Sequence, residues 1–136
     1  MHLRLLPALV LLAQPVAAQA SAPIAGRWIA EDGTAVVTIA PCGTASYCGR
    51  VTQFLVAEPR GGFRDVRNPD PKLRNRPVLG ATVFTGLVAS GRSWKGRGYS
   101  VKDGRHFAAT LSARGARLTV RGCVTIICRT VVWTRA

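Results

Sequence analysis

Arg105-His-Phe-Ala-Ala-Thr-Leu-Ser-Ala-Arg-Gly-Ala-Arg-Leu-Thr-Val-Arg-Gly122 is the stretch that decides the fold. In its first arm Phe107, Ala109 and Leu111 share one face. In its second arm Leu118 and Val120 face one side, while Arg117, Thr119 and Arg121 face the other. Successive side chains of a strand point to opposite faces, so a period of two marks a half-buried β-strand. Arg114-Gly115 supplies the turn between the arms. Two one-sided strands joined by a tight turn need a partner surface for their apolar face.

The same pattern continues in both directions. Upstream, the β-branched runs predict strands at Arg27–Glu31, Thr34–Ala40, Tyr47–Val56, Val78–Ser90 and Ser93–Val101. Downstream, Arg129–Arg135 follows. Asp32-Gly33 is a strong hairpin signal and Lys102-Asp103-Gly104 makes another turn. The long strand is expected to kink at Gly80 or Gly86. Helical periodicity is almost absent. The reading is all-β: about eight strands in an antiparallel meander, closed into a barrel, with a β-sandwich as the alternative. Closure removes exposed edges that would otherwise aggregate.

The first residues are of another kind. Met1-His-Leu-Arg4 is basic, Leu5–Val16 is mostly apolar, and Ala18-Gln19-Ala20 precedes Ser21. This is the secretory pattern, with cleavage expected after Ala20. A membrane anchor would need about 20 predominantly apolar residues, and Pro7 and Pro15 interrupt this shorter run. No cysteine follows the cleavage site, which argues against a lipid anchor. The expected organisation is therefore a signal peptide at 1–20 and a single domain at 21–136, periplasmic or secreted.

All 4 cysteines fall in that domain, as Cys42-x5-Cys48 and Cys123-x4-Cys128. Three pairings are open to four cysteines. Local pairing is preferred, because each pair flanks a predicted turn. A short loop closed this way contributes about 2 kcal/mol in the chain-entropy model. Zinc is disfavoured, since the spacing is not C-x2-C and an oxidising compartment favours disulfides.

The chain has 19 Lys+Arg, 6 Asp+Glu and a net charge of +13. Cleavage would remove only Arg4 from this balance, leaving about +12. Such a field attracts anions, including anionic lipid or polysaccharide. The compartment excludes nucleic acid as a partner, and the basic residues are scattered rather than massed on one element.

Several spaced motifs also carry a resemblance. They are Gly26-Arg27-Trp28, Cys48-Gly49-Arg50-Val51, Asp65-Val66-Arg67-Asn68-Pro69-Asp70-Pro71-Lys72-Leu73-Arg74 and Arg76-Pro77-Val78-Leu79-Gly80. Trp94-Lys95-Gly96, Tyr99, Asp103-Gly104, Val120-Arg121-Gly122-Cys123 and Trp133-Thr134-Arg135 complete the set. Together they resemble the bacterial family called domain of unknown function 2147, over essentially the whole of the expected domain. The resemblance implies an exported, lipocalin-like β-barrel with no established activity. The chain departs from the pattern at Ser100-Val101, where an Asp/Asn-Pro pair is expected. Gly26-x-Trp28 also looks like the opening motif of lipocalins. That likeness implies that Trp28 plugs the closed end and that a late arginine, Arg135, packs over it. Both residues are then structural, and a guanidinium over an indole contributes about 0.5–2 kcal/mol.

No catalytic constellation stands out. After cleavage only His106 remains of 2 histidines, and disulfides leave no thiolate. Asp65 and Asp70 lie among arginines that would hold both ionised, which is wrong for a general acid. Those arginines also oppose calcium at Asp65, Asn68 and Asp70. No metal and no cofactor are expected.

The best candidate is the proline-rich segment 57–77, long where a barrel needs only a short link. Arg64, Arg67, Lys72, Arg74 and Arg76, with Asn68, could receive a carboxylate or phosphate. Alternatively, Asp65, Asn68 and Asp70 cap turns and pair with arginines while the loop plugs one barrel end. Trp94 and Tyr99 either line an interior pocket or fill it. The expectation is a monomeric, non-enzymatic protein that binds a small amphipathic or anionic ligand at the open end. The alternative is docking on an anionic envelope surface.

Overall fold

The computed structural model describes residues 9–14 and 22–136. The predicted export signal and its cleavage site at Ala20 lie largely outside the described residues. Eight strands follow one another: β1 (Gly26–Ile29), β2 (Ala35–Pro41), β3 (Tyr47–Phe54), β4 (Thr82–Ser90), β5 (Ser93–Ser100), β6 (Arg105–Arg114), β7 (Arg117–Val124) and β8 (Ile127–Arg135). Each pairs antiparallel with its sequence neighbour, and β1 pairs with β8, so the sheet is a closed barrel. The barrel reading holds and the sandwich does not.

The period of two seen in β6 and β7 is the packing rule of the wall. Leu111 pairs with Val120 and Ala113 with Leu118, so both strands turn the same alternate residues inward. Trp28, Leu87, Leu111 and Leu118 are completely buried there. An eight-stranded barrel is just wide enough to be filled by side chains, and here aromatic rings take the space. Phe84 lies 6.4 Å from Phe107 and 5.5 Å from Trp133, centroid to centroid. Glycines admit these rings. A Cβ on Gly49 would come 2.8 Å from the Phe84 ring, and one on Gly98 would overlap Phe107.

Two strand starts differ from the sequence reading by two residues or more. Strand β4 begins at Thr82, not Val78, because Val78–Ala81 is a turn in which Gly80 has φ +84°. The kink is at Gly86, φ +59°, where the β4–β5 register shifts between Thr85 and Val88. Strand β8 begins at Ile127, before the predicted Arg129, since Val124 pairs with Ile127 across a two-residue turn.

Both disulfides are local. Cys42–Cys48 and Cys123–Cys128 have Cα separations of 5.7 and 4.0 Å, and no cysteine is left free. The second joins directly paired residues of β7 and β8.

Residues 22–25 close one end of the barrel. Ile24 is fully buried and its carbonyl accepts from Trp28 Nε1 at 2.9 Å. The Arg135 guanidinium lies 4.0 Å over the indole and donates to the carbonyls of Ala25 and Pro23.

Candidate functional site

The β3–β4 connection is anchored by Val78, which belongs to the hydrophobic core, and by Phe63, which packs against that core. It folds back onto the outer wall. Its two arms meet in an isolated bridge between Arg64 and Pro77, and Val78 N donates to Phe63 O at 2.9 Å. The tip is a short 3-10 turn, Pro71–Leu73, capped by the Asp70 side chain, which accepts from Lys72 N. Proline at its first position suits a place where no backbone donor is needed.

Asp65 fastens this loop to the barrel. Its carboxylate is fully buried and accepts from Tyr99 Oη at 2.6 Å, Asn68 Nδ2 at 2.9 Å and Arg76 Nε at 2.8 Å. Burial pushes its pKa up, but hydrogen bonds from Asn68, Tyr99 and Arg76, with the charge of Arg76, outweigh that and hold it low. Burial, and then the adjoining Asp65, push the Tyr99 phenol up to about 12. The neutral phenol therefore stabilises the fold fully below its unfolded pKa of about 10, and that contribution is lost as pH rises through the folded value. In an ultraviolet titration, the phenolate signal removed by Tyr99→Phe is expected near pH 12. Ionisation at the ordinary tyrosine value would contradict the buried contact.

The predicted site residues are thus divided. Arg64 donates to Asn75 O, Arg67 to Lys102 O, and Arg74 to Asn68 O, so these arginines shape the loop. Asn68 is buried and Lys72 exposed. The Arg76 guanidinium lies 5.5 Å from the Tyr99 ring centroid. Trp94 and Tyr99 are not brought together. Trp94 pairs with inward-facing Leu111 and packs edge-on against Tyr47 at 5.1 Å. Tyr99 pairs with exposed His106 and points outward, so it does not line the interior. Their odd separation along β5 puts them on opposite faces.

Between loop and wall lies a cleft of about 360 Å³. Its floor is the outward face of β4–β6, with Thr82, Thr85, Arg97, Tyr99 and His106. Its rim is Asn68, Leu73 and Arg76 from the loop. The sequence does not single out Arg97, Thr82 or Thr85, and it marks His106 only as the histidine left after cleavage. The available signal was the i, i+2 spacing of Arg97 and Tyr99. Among the described residues, neither Arg97 nor His106 has a side-chain hydrogen-bond partner or salt bridge. Cations, hydroxyls and one leucine edge suit a compact anion with an apolar part. Among the described residues, no three His, Cys, Asp or Glu side chains gather as metal ligands would.

A family described as "Uncharacterized protein conserved in bacteria (DUF2147)" matches residues 26–135. The chain belongs to this family. Its DUF2147 barrel is also similar to a solved structure, protein HP1028 from the human pathogen Helicobacter pylori, described as belonging to the lipocalin family. The TM-score is 0.70 at 20% identity, over 83% of this chain and 82% of that one. At that identity the likeness speaks for the fold, which is lipocalin-like. No curated protein matches. The two disulfides of this DUF2147 chain, in a family conserved in bacteria, are consistent with an exported protein.

Proposed function

We propose that this DUF2147 barrel is a non-enzymatic, monomeric binding protein. It acts in the periplasm or outside the cell after removal of residues 1–20, with 21–136 as its single domain. Its ligand is a small anionic or amphipathic molecule held in the cleft between the 64–76 loop and the outer wall. The observation that carries this reading is the convergence of Arg97, His106 and Arg76 on one cleft of about 360 Å³. The barrel axis supports the placement, because Phe84, Phe107 and Trp133 occupy it.

Two further features support an anion. The Arg76 guanidinium gives only Nε to Asp65, so its terminal nitrogens remain available to the cleft. The Thr82 and Thr85 side chains add hydroxyl donors on the floor. Leu73 offers an apolar edge.

The test is calorimetric titration with inorganic phosphate, a sugar phosphate and a short-chain fatty acid, alongside native mass spectrometry of protein purified from its own envelope. Arg97→Ala is expected to weaken binding about 10- to 100-fold, the loss of one charge-assisted hydrogen bond. Lys95→Ala, on the same strand but away from the cleft, is expected to leave it unchanged. Equal binding by wild type and Arg97→Ala overturns the assignment.

A further inference from the structure

In an antiparallel meander the turns after β1, β3, β5 and β7 share one end of the barrel. The end closed by residues 22–25 is the other. At the open end the β7–β8 turn presents aliphatic side chains to solvent. Ile126 is 94% exposed, Ile127 76% and Val124 44%. The β3–β4 loop adds Leu55, Val56 and Val66 at 44%, 46% and 67%. An isolated exposed valine is ordinary, whereas aliphatics gathered at one end of a soluble domain mark a contact surface.

The tip is also held rigidly. Thr125 sits in the left-handed region at φ +53°, and the Cys123–Cys128 disulfide clamps the base of the turn. A threonine in that region is strained and persists only where the surroundings enforce it. A clamped turn keeps Ile126 and Ile127 from folding back against the barrel.

Charge decides the occupant. Arg121 and Arg129 pair with residues opposite them just behind the tip, within about three residues or roughly 10 Å along the strands. Arg105 and Lys102 stand at the adjoining turn. Lys102 and Arg129 are engaged by the acidic groups of the β1–β2 turn, Asp32 at 2.8 Å and Glu31 at 3.3 Å, which leaves Arg121 and Arg105 to face the surface. Taken together, Glu58 and Asp103 are outnumbered by Arg60, Arg64, Arg67 and Arg105. A protruding aliphatic wedge backed by arginines, on a chain of net charge +13, fits acyl chains beneath an anionic headgroup layer.

We infer that the open end docks on an anionic lipid surface, with the Val124–Ile127 tip inserted at the headgroup boundary. The Val124–Ile127 tip contributes none of the residues that line the cleft.

Vesicle flotation tests it, on protein processed by its bacterial host. Vesicles of phosphatidylethanolamine with phosphatidylglycerol are compared with phosphatidylcholine alone. Wild type is expected to float with the anionic vesicles at least tenfold better than with the neutral ones. The double variant Ile126→Asp/Ile127→Asp is expected to lose at least tenfold in anionic-vesicle binding. Both side chains are exposed, so its near-ultraviolet circular dichroism should match wild type. Ile126→Ser/Ile127→Ser, which adds no charge, should also lose binding and separates lost insertion from added repulsion. Retention of binding by the serine variant overturns the inference, as does failure of wild type to float or equal binding to both vesicles. A wild-type dimer in solution that the aspartate variant abolishes would assign the tip to a second copy and also overturn it. Binding of small anions to the Arg97 cleft is read independently, since the tip variants leave that site intact.

Discussion

Asp65→Ala is expected to release the 57–77 loop from the barrel wall at a cost of about 3 kcal/mol, near the lower bound for breaking a buried charge pair. The lower bound applies because the Arg76 side chain is 31% exposed and can recover water. Tyr99 cannot. It is 6% exposed, and without the carboxylate its hydroxyl is left buried and unpaired. Trypsin reports the release directly, because Arg60, Arg64, Arg67, Lys72 and Arg74 lie in the loop. Cleavage between residues 60 and 76 is expected to accelerate at least tenfold, with circular dichroism of the barrel retained. Asp65→Asn keeps one acceptor and should fall between. A wild-type rate in Asp65→Ala would show that the carboxylate does not hold the loop. The pH dependence follows from the depressed pKa. The contribution of Asp65 is fully present above the unfolded value of about 3.9 and is lost as pH falls through the lower folded value. The loop therefore stays down throughout the neutral range.

Trp28→Ala is expected to cost about 3–5 kcal/mol, the range for removing a buried aromatic side chain. Three losses coincide: the buried indole, the Nε1 hydrogen bond to Ile24 O, and the surface under the Arg135 guanidinium. Against a typical domain stability of about 5–15 kcal/mol this is a large fraction. Calorimetry should show the melting temperature falling by more than about 10 °C. Trp28→Phe keeps most of the apolar burial and gives up the hydrogen bond, so its cost should be about 1 kcal/mol beyond the lost volume. A change of under about 3 °C in Trp28→Ala would show that the closed end does not depend on this residue.

Much of the barrel was legible because a half-buried strand imposes a period of two on its residues, and β6 and β7 display it plainly. The start of β4 was not. Val78-Leu79-Gly80-Ala81 reads as apolar strand, and only the hydrogen bond from Ala81 N to Val78 O, with the positive φ of Gly80, shows a turn there. The opposite facing of Trp94 and Tyr99 was present in the sequence, since odd spacing on one strand means opposite faces. Placing both inside overlooked it. For Asp65 the sequence argues against a general acid and a calcium ligand and leaves turn-capping and arginine pairing. Its third partner, Tyr99, lies 34 residues away, and no local pattern reports that contact. Likewise Arg135 over Trp28 could be expected only through a resemblance, because almost the whole domain separates them.

The closing seam sets the order in which the barrel can assemble. Seven of its pairings join strands adjacent in sequence, and six of these need only a short turn to form. Such local contacts cost little chain entropy and form early. The eighth pairing joins β1 to β8 through only two residue pairs, Trp28 with Arg135 and Ile29 with Thr134. It cannot begin until β8 has been made. A partly formed sheet therefore carries two open edges until β8 docks, with Trp28 uncovered. Arg135 ends that exposure in one step, as it completes the seam, stacks on the indole and ties down residues 23 and 25.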